Sequence, residues 1–241
     1  MLTSDSVVMS SVAPVNSELP TLHHLNNSVS QRILWLLEEL SIEYNLKLYS
    51  RDPITLRAPP SLATVSPLGK SPVLVTTDKG TLTESSAIAA YLLSKFDSKD
   101  LFERTNWLRD EMLTSFAGTT MGPLLLIEIL TDIAEDKVWW PISLPVRWVR
   151  QAIHKNISGP ELRKGLVWLE SELGTEDWFG GKKLSRADIM IIWPLDLMSQ
   201  KGWIDIQKEF PKLGAWRERV IERPAWKRAI AKGNGYDLAK W

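Results

Sequence analysis

The hydrophobic period of this chain changes character once. From about Leu19 to Asp97 it alternates between two and 3.6 residues. LPTLHHL at 19–25 reads as a short strand, bounded by Pro20 and the Asn26-Asn27-Ser28 turn. SQRILWLLEELSI at 30–42 places Ile33, Leu34, Leu37 and Leu40 on one helical face. IEYNLKLY at 42–49 alternates apolar and polar positions, as a half-buried strand does. The polar stretch SRDPITLRAPP follows, then a short helical piece near 60–65. SPVLVTT at 71–77 and TLT at 81–83 flank Asp78-Lys79-Gly80 and predict a β-hairpin. Thr83-Glu84-Ser85-Ser86 then opens a helix over AIAAYLLSKF. The order β-α-β-α-β-β-α is that of a mixed sheet with helices on its faces.

Beyond Ser98 the strand signals stop. Helical periods occupy 103–130, 143–158, 160–173, 186–200 and 209–232. The breakers Pro141, Gly159-Pro160, Gly180-Gly181, Gly202, Pro211 and Pro224 lie between or near the ends of these segments. Ser185-Arg186-Ala187-Asp188 has capping-box form, with Asp in the usual Glu place. The second part is therefore all-α, and no internal repeat is visible. The expected division is a disordered tail at 1–18, an α/β domain at 19–97 and an all-α domain at 103–241.

Composition narrows the function. At 241 residues, 44% hydrophobic and 24% charged, the chain is of ordinary globular type. It has no cysteine, which removes disulfides, thiolate metal sites and cysteine nucleophiles. Lys+Arg and Asp+Glu are 29 each, so no basic field favours nucleic acid or an anionic membrane. The first eighteen residues lack Lys and Arg and do not read as a secretory or transit peptide. No membrane span is expected, because the most apolar run, GPLLLIEIL, already carries Glu128. A soluble, cytoplasmic protein is the expectation. Of 12 tryptophans only Trp35 precedes residue 100. Trp139-Trp140 reads as core or interface packing in preference to carbohydrate stacking. His23 and His24 are neighbours in a strand and point to opposite faces, so they make no close metal pair, and no metal is expected.

Three segments carry candidate chemistry. Asn26-Asn27-Ser28-Val29-Ser30-Gln31-Arg32 joins a strand to a helix N-terminus, whose N–H groups and dipole favour an anion. A thiolate held there would be stabilised; alternatively Ser28 or Ser30 simply caps the helix. Ser71-Pro72 opens a strand, and a cis bond would turn the Ser71 backbone outward to pair with an extended peptide; a trans loop fits the same letters. At Thr83-Glu84-Ser85-Ser86 a helix N-terminus suits a carboxylate while Glu84 suits an ammonium, or the residues merely cap a helix.

LHHLNNSVSQRILWLLEEL, RAPPSLATVSPLGKSPVLV, LTESSAIAAYL, GTTMGPLLLIEIL and LSRADIMIIWPL, in that order, resemble signatures of the glutathione S-transferases, the fungal branch in particular. The resemblance spans about 19–230. It implies a thioredoxin-like α/β domain followed by an all-α helical domain, a homodimer, and glutathione as co-substrate. It further implies that Ser28, with Asn27 as competitor, meets the glutathione sulfur. Ser71, before the cis Pro72, would pair with the cysteinyl unit through its backbone. Glu84 and Ser85 would hold the γ-glutamyl end, and Arg57 and Lys70 would reach the glycyl carboxylate. Asp188 would be structural. Without cysteine, and without tyrosine in 19–32, the chain resembles the serine-type members. Val29 and Ser66 depart from the residues relatives often carry there. The implied activity is conjugation of glutathione to hydrophobic electrophiles in detoxification. Glutathione-dependent peroxide or disulfide reduction, and non-catalytic binding of hydrophobic ligands, are the alternatives. The electrophile is expected in an apolar cleft walled partly by the helix at 103–130, with Phe116, Thr119 and Met121 as candidate lining.

Overall fold

The computed structural model describes residues 18–240, so the expected tail at 1–18, Glu18 apart, lies outside the described residues. The first half builds a four-stranded sheet from β1 (Thr21–Leu25), β2 (Asn45–Tyr49), β3 (Val73–Thr76) and β4 (Gly80–Leu82). The strand order is β2-β1-β3-β4. β1 runs parallel to β2, in register from Thr21 opposite Asn45 to Leu25 opposite Tyr49, and antiparallel to β3. The central strand β1 is buried at all five positions. Helices α1 (Ser30–Leu40) and α2 (Ser85–Phe96) complete this thioredoxin-like unit, with a 3₁₀ turn at Pro60–Thr64. β2 starts at Asn45, three residues later than its alternating pattern predicts.

α1 departs from expectation in a useful way. Its pattern predicts one buried face, yet every residue except Glu39 is buried. The sheet and α2 cover one side, while α7 (Arg186–Gln200) and α10 (Pro224–Lys232) of the helical part cover the other. Trp35 meets Trp226 edge-to-face at 5.5 Å. The polar residues on that second side must then find partners. Glu38 accepts from Tyr44, Arg228 and Lys232, and Arg223 clasps Glu39 with two hydrogen bonds. Burial alone would raise the Glu38 carboxyl; the Lys232, Tyr44 and Arg228 hydrogen bonds outweigh it and hold Glu38 below the usual carboxylate range.

The helical part comprises α3 (Trp107–Ser115), α4 (Met121–Lys137), α5 (Ser143–Ile153), α6 (Gly159–Leu173), α7, a one-turn α8 (Ile206–Glu209), α9 (Pro211–Glu222) and α10. One predicted break, at Gly159-Pro160, does not occur, and the segment read as a single helix from 103 contains a wide turn. α3 runs into α4 through a wide π-type turn at Phe116–Thr120, and α5 runs into α6 through another at His154–Ser158. Gly159-Pro160 reads as a breaker, but the wide turn displaces the carbonyl that the Pro160 ring would otherwise strike. Gly159 is needed there: a Cβ would lie 2.4 Å from the His154 carbonyl oxygen. The turn also brings His154 Nδ1, at 2.9 Å, and the Ser158 hydroxyl onto Glu128, which is 1% exposed inside α4.

The helical run Trp107–Lys137 contains an 18-residue stretch of mean hydropathy 1.4, long and apolar enough to cross a membrane by length and composition alone. Its inner face, including Leu113, Met121, Leu125 and Ile129, packs into the protein core, and it carries a hydrogen-bonded buried carboxylate. It is a core helix. The core centres on α7, buried from Ala187 to Met198. Trp139 and Trp140 are not in it: they are 71% and 73% exposed at the α4–α5 junction. That corrects the core reading of this pair, whose short connector leaves the two rings no element to pack beneath.

Candidate functional site

The loop Asn26–Val29 carries the chain from β1 into α1, and its conformation follows from local bonds. Asn27 takes a left-handed conformation, φ 47°, which asparagine tolerates better than most side chains. Its N–H donates to the Gly235 carbonyl at 3.1 Å, and its Oδ1 accepts from the Asp237 N–H at 2.8 Å. Ser28 sits inside this turn, 4% exposed. Its hydroxyl donates to the Leu25 carbonyl at 2.7 Å, lies 2.8 Å from Ser30 Oγ and accepts from the Ser30 N–H at 3.2 Å. Ser30 Oγ lies 2.8 Å from His24 Nδ1. No acidic residue stands in the first turn of α1, so nothing offsets the positive end of its dipole.

A cavity of about 610 Å³ opens beside this turn. Ser28 and Val29 line it from the β1–α1 loop, Ser71 and Lys70 from the segment before β3, and Arg51, Leu56 and Arg57 from the loop after β2. Trp193 of α7 is its wall from the helical part. The Ser71–Pro72 bond is cis, as expected. The Ser71 hydroxyl donates to the His23 carbonyl at 3.0 Å and accepts from the Leu25 N–H at 3.1 Å, which ties the two walls together. Among the described residues, three cations, Arg51, Arg57 and Lys70, and no carboxylate line the space. Burial lowers the Arg51 guanidinium to about 10. It donates to Leu56 O of its own loop at 3.0 Å and to Asn27 O of the β1–α1 loop at 3.4 Å. Lys137, at the end of α4, donates to Ile54 O at 2.9 Å and braces that loop from the helical side. The site is a cationic, hydroxyl-bearing cleft with one apolar side.

Residues 28–95 match the family model described as "Glutathione S-transferase, N-terminal domain", and residues 130–224 match "Glutathione S-transferase, C-terminal domain". Glutathione S-transferase 3 of Schizosaccharomyces pombe is 30% identical over 217 residues, covering 88% of this chain and 86% of the relative. The chain belongs to the glutathione S-transferase family. Glutathione S-transferase 1 of Saccharomyces cerevisiae is 29% identical over 229 residues, 89% of this chain and 97% of that one. A crystal structure of a glutathione S-transferase from Actinobacillus pleuropneumoniae superposes with a TM-score of 0.71 at 25% identity, over 92% of this chain and 97% of that one. A Phanerochaete chrysosporium transferase solved with oxidised glutathione has the same fold, at TM-score 0.71 and 22% identity, over 90% of this chain and 96% of its own. Insect and plant transferases match as well, so these likenesses reach the family and not one branch of it.

Within this transferase fold, Ser28, Arg57, Lys70 and Ser71 are brought together at one cavity. Asn27, Glu84 and Ser85 are not among its lining residues. Asn27 spends its backbone N–H and side-chain oxygen on the C-terminal segment. Glu84 is exposed with φ 66°, and the buried Ser85 hydroxyl accepts from Arg32 Nη2 at 3.1 Å. Phe116, Thr119 and Met121 are elsewhere too. The Phe116 ring packs 4.5 Å from Trp168 of α6 and shares a separate hollow with Thr119, while Met121 is core. The wide turn at 116–120 directs these side chains toward α6, so the helical wall of the cavity is Trp193, not 103–130. Arg51 and the Ser30–His24 link escaped the sequence reading. A cation directly after the strand paired with β1 was the available signal for Arg51. Among the described residues no cluster of His, Asp and Glu is placed to hold a metal.

Proposed function

We propose that the protein is a glutathione transferase that conjugates glutathione to hydrophobic electrophiles, with Ser28 stabilising the thiolate. The observation that carries this reading is the lining of the cavity: three cations and a helix N-terminus beside a buried hydroxyl, facing the apolar side chains of Val29, Leu56 and Trp193. Glutathione presents two carboxylates and a thiol, so its charge complements that lining. Arg57 and Lys70 meet the glycyl carboxylate, with Arg51 behind them. Ser71 pairs with the cysteinyl backbone, and Glu84 and Ser85 extend the site toward the γ-glutamyl end. The thiol proton passes to solvent. The sulfur then forms a bond to an electrophilic carbon as the leaving group departs with its electron pair, and no covalent enzyme intermediate forms. The electrophile is a hydrophobic xenobiotic or a lipid oxidation product, consistent with a detoxifying role in the cytoplasm and with the homodimeric assembly we propose for the chain.

The test is a parallel assay of purified protein for chlorodinitrobenzene conjugation, glutathione-dependent hydroperoxide reduction and ligand quenching of tryptophan fluorescence. Ser28→Ala is expected to lower conjugation about 10- to 100-fold near neutral pH, the worth of one hydrogen bond to a charged group. Wild-type conjugation in Ser28→Ala refutes the assignment of the sulfur to Ser28, and wild-type conjugation in Asn27→Ala as well refutes a catalytic role for this turn. Peroxide turnover alone, or strong quenching without turnover, replaces it with the reductase or the ligand-binding reading.

A further inference from the structure

Ser28 can stabilise a sulfur anion only if its hydroxyl proton points into the cavity. That proton is spent on the Leu25 carbonyl, 2.7 Å away. What decides its direction is the chain behind it. Ser28 Oγ and Ser30 Oγ are 2.8 Å apart, and Ser30 Oγ and His24 Nδ1 are 2.8 Å apart. In either contact either atom can be the donor, and each hydroxyl has one proton to give.

The two tautomers of His24 have opposite consequences. With the proton on Nε2, bare Nδ1 demands the Ser30 proton, and the Ser28 proton is then drawn inward to Ser30 Oγ or Leu25 O. With the proton on Nδ1, the ring donates to Ser30, Ser30 donates to Ser28, and the Ser28 proton is released toward the cavity. Every bond then points the same way, and aligned hydrogen bonds strengthen one another. His24 is fully buried, and burial lowers its imidazole to about 4, so the ring stays neutral and one of these two tautomers must hold. Its Nε2 has no partner among the described residues. Buried N–H groups are left orphaned less readily than acceptors, which favours the proton on Nδ1.

We propose that His24 is a positioning residue for catalysis: its Nδ1–H orders a relay through Ser30 that aims the Ser28 hydroxyl at the glutathione sulfur. The inference rests on Ser28 being the sulfur's partner. His24 never touches glutathione and takes no proton from it.

The experiment is the pH profile of kcat/KM for Ser28→Ala, His24→Phe, His24→Asn and the double variant Ser28→Ala/His24→Phe. It is joined by nitrogen-15 NMR of the histidine rings in the full chain with glutathione bound. His24→Phe should lower kcat/KM about tenfold near pH 6.5 and leave it near wild type at about pH 9, where the thiol ionises unaided. The KM for glutathione should stay within about twofold of wild type. His24→Asn, which keeps a donor near the Nδ1 position, should recover most of the loss. The double variant should match Ser28→Ala, because the relay acts only through that hydroxyl. The NMR spectrum should show the Nδ1–H tautomer, which does not depend on any variant folding. A wild-type pH profile in His24→Phe, or an Nε2–H tautomer with glutathione bound, overturns the relay while a defective Ser28→Ala upholds the serine. A normal Ser28→Ala overturns both.

Discussion

Asp188 is fully buried at the start of α7, and its carboxylate gathers four donors. Oδ1 accepts from the Phe179 N–H at 3.0 Å and the Trp216 indole at 2.8 Å. Oδ2 accepts from the Ser185 N–H at 2.8 Å and the Ser185 hydroxyl at 3.0 Å. Burial pushes this carboxyl above its usual range, while the Phe179, Ser185 and Trp216 bonds pull the other way. The carboxylate joins the helix cap to the chain before it and to α9 behind it. Asp188→Asn keeps the shape but replaces one oxygen by a donor. With the amide nitrogen toward Ser185, whose hydroxyl can rotate, one buried N–H is orphaned, at about 1–3 kcal/mol. Asp188→Ala orphans the Phe179 and Ser185 N–H groups and the Trp216 indole together, about 3–9 kcal/mol in all at that same cost per buried donor. At about 2–4 °C per kcal/mol for a chain of this size, the alanine variant should melt at least about 6 °C below wild type and the asparagine variant about 5 °C below. Urea unfolding followed by circular dichroism measures both. An alanine variant within about 1 kcal/mol of wild type would refute the argument that these donors depend on Asp188.

Three further outcomes follow from the site. Because His24 has its folded pKa depressed to about 4 from 6.5, its penalty is absent at pH 7, grows as pH falls through 6.5 and levels off below 4. Stability at pH 5 should therefore be about 2 kcal/mol lower than at pH 7 on this account, and His24→Asn should lose that part of the slope in denaturant curves. Asn27→Ala puts alanine at φ 47° and forfeits the Asp237 bond, so it should cost about 2 kcal/mol, whereas Asn27→Gly escapes the backbone strain and should cost about 1 kcal/mol in the same unfolding assay. Arg57→Ala and Lys70→Ala should each raise the KM for glutathione about 3- to 30-fold with kcat little changed, the exposure of both side chains setting the low end; an unchanged KM in both removes them from the glycyl contact.

Much of the first half was legible because its signals are local. Alternation marks β1 and β3, the Gly80 turn marks the hairpin, and Ser185 with Asp188 marks a cap that the structure closes in the expected geometry. Ser28, Lys70, Ser71 and Arg57 were nameable in advance and do converge on one cavity, whereas Asn27, Glu84 and Ser85 do not line it. The absence of cysteine was equally plain, and it leaves any thiol chemistry to a bound thiol. The wide turn at 154–158 was hidden, since a proline in a helical pattern reads as a break unless the ladder is known to widen, and the one at 116–120 lies inside a period that reads as one unbroken helix.

What the chain's linear order determined, then, was the kind of each element and the chemical groups at each turn, because period, caps and turn residues act within a few residues of themselves. What only the tertiary structure decided was which side chains are deprived of water and which of them face each other. α1 looks amphipathic in isolation and becomes buried all round only when α7 and α10 close over it. His24, Ser30 and Ser28 lie within six residues of one another, yet they form a relay only because the β1–α1 turn folds back on itself and burial leaves them no solvent to bond with. Trp193 reaches the cavity from more than a hundred residues away. Such long-range pairings depend on packing free energy, and no local pattern in the letters encodes them.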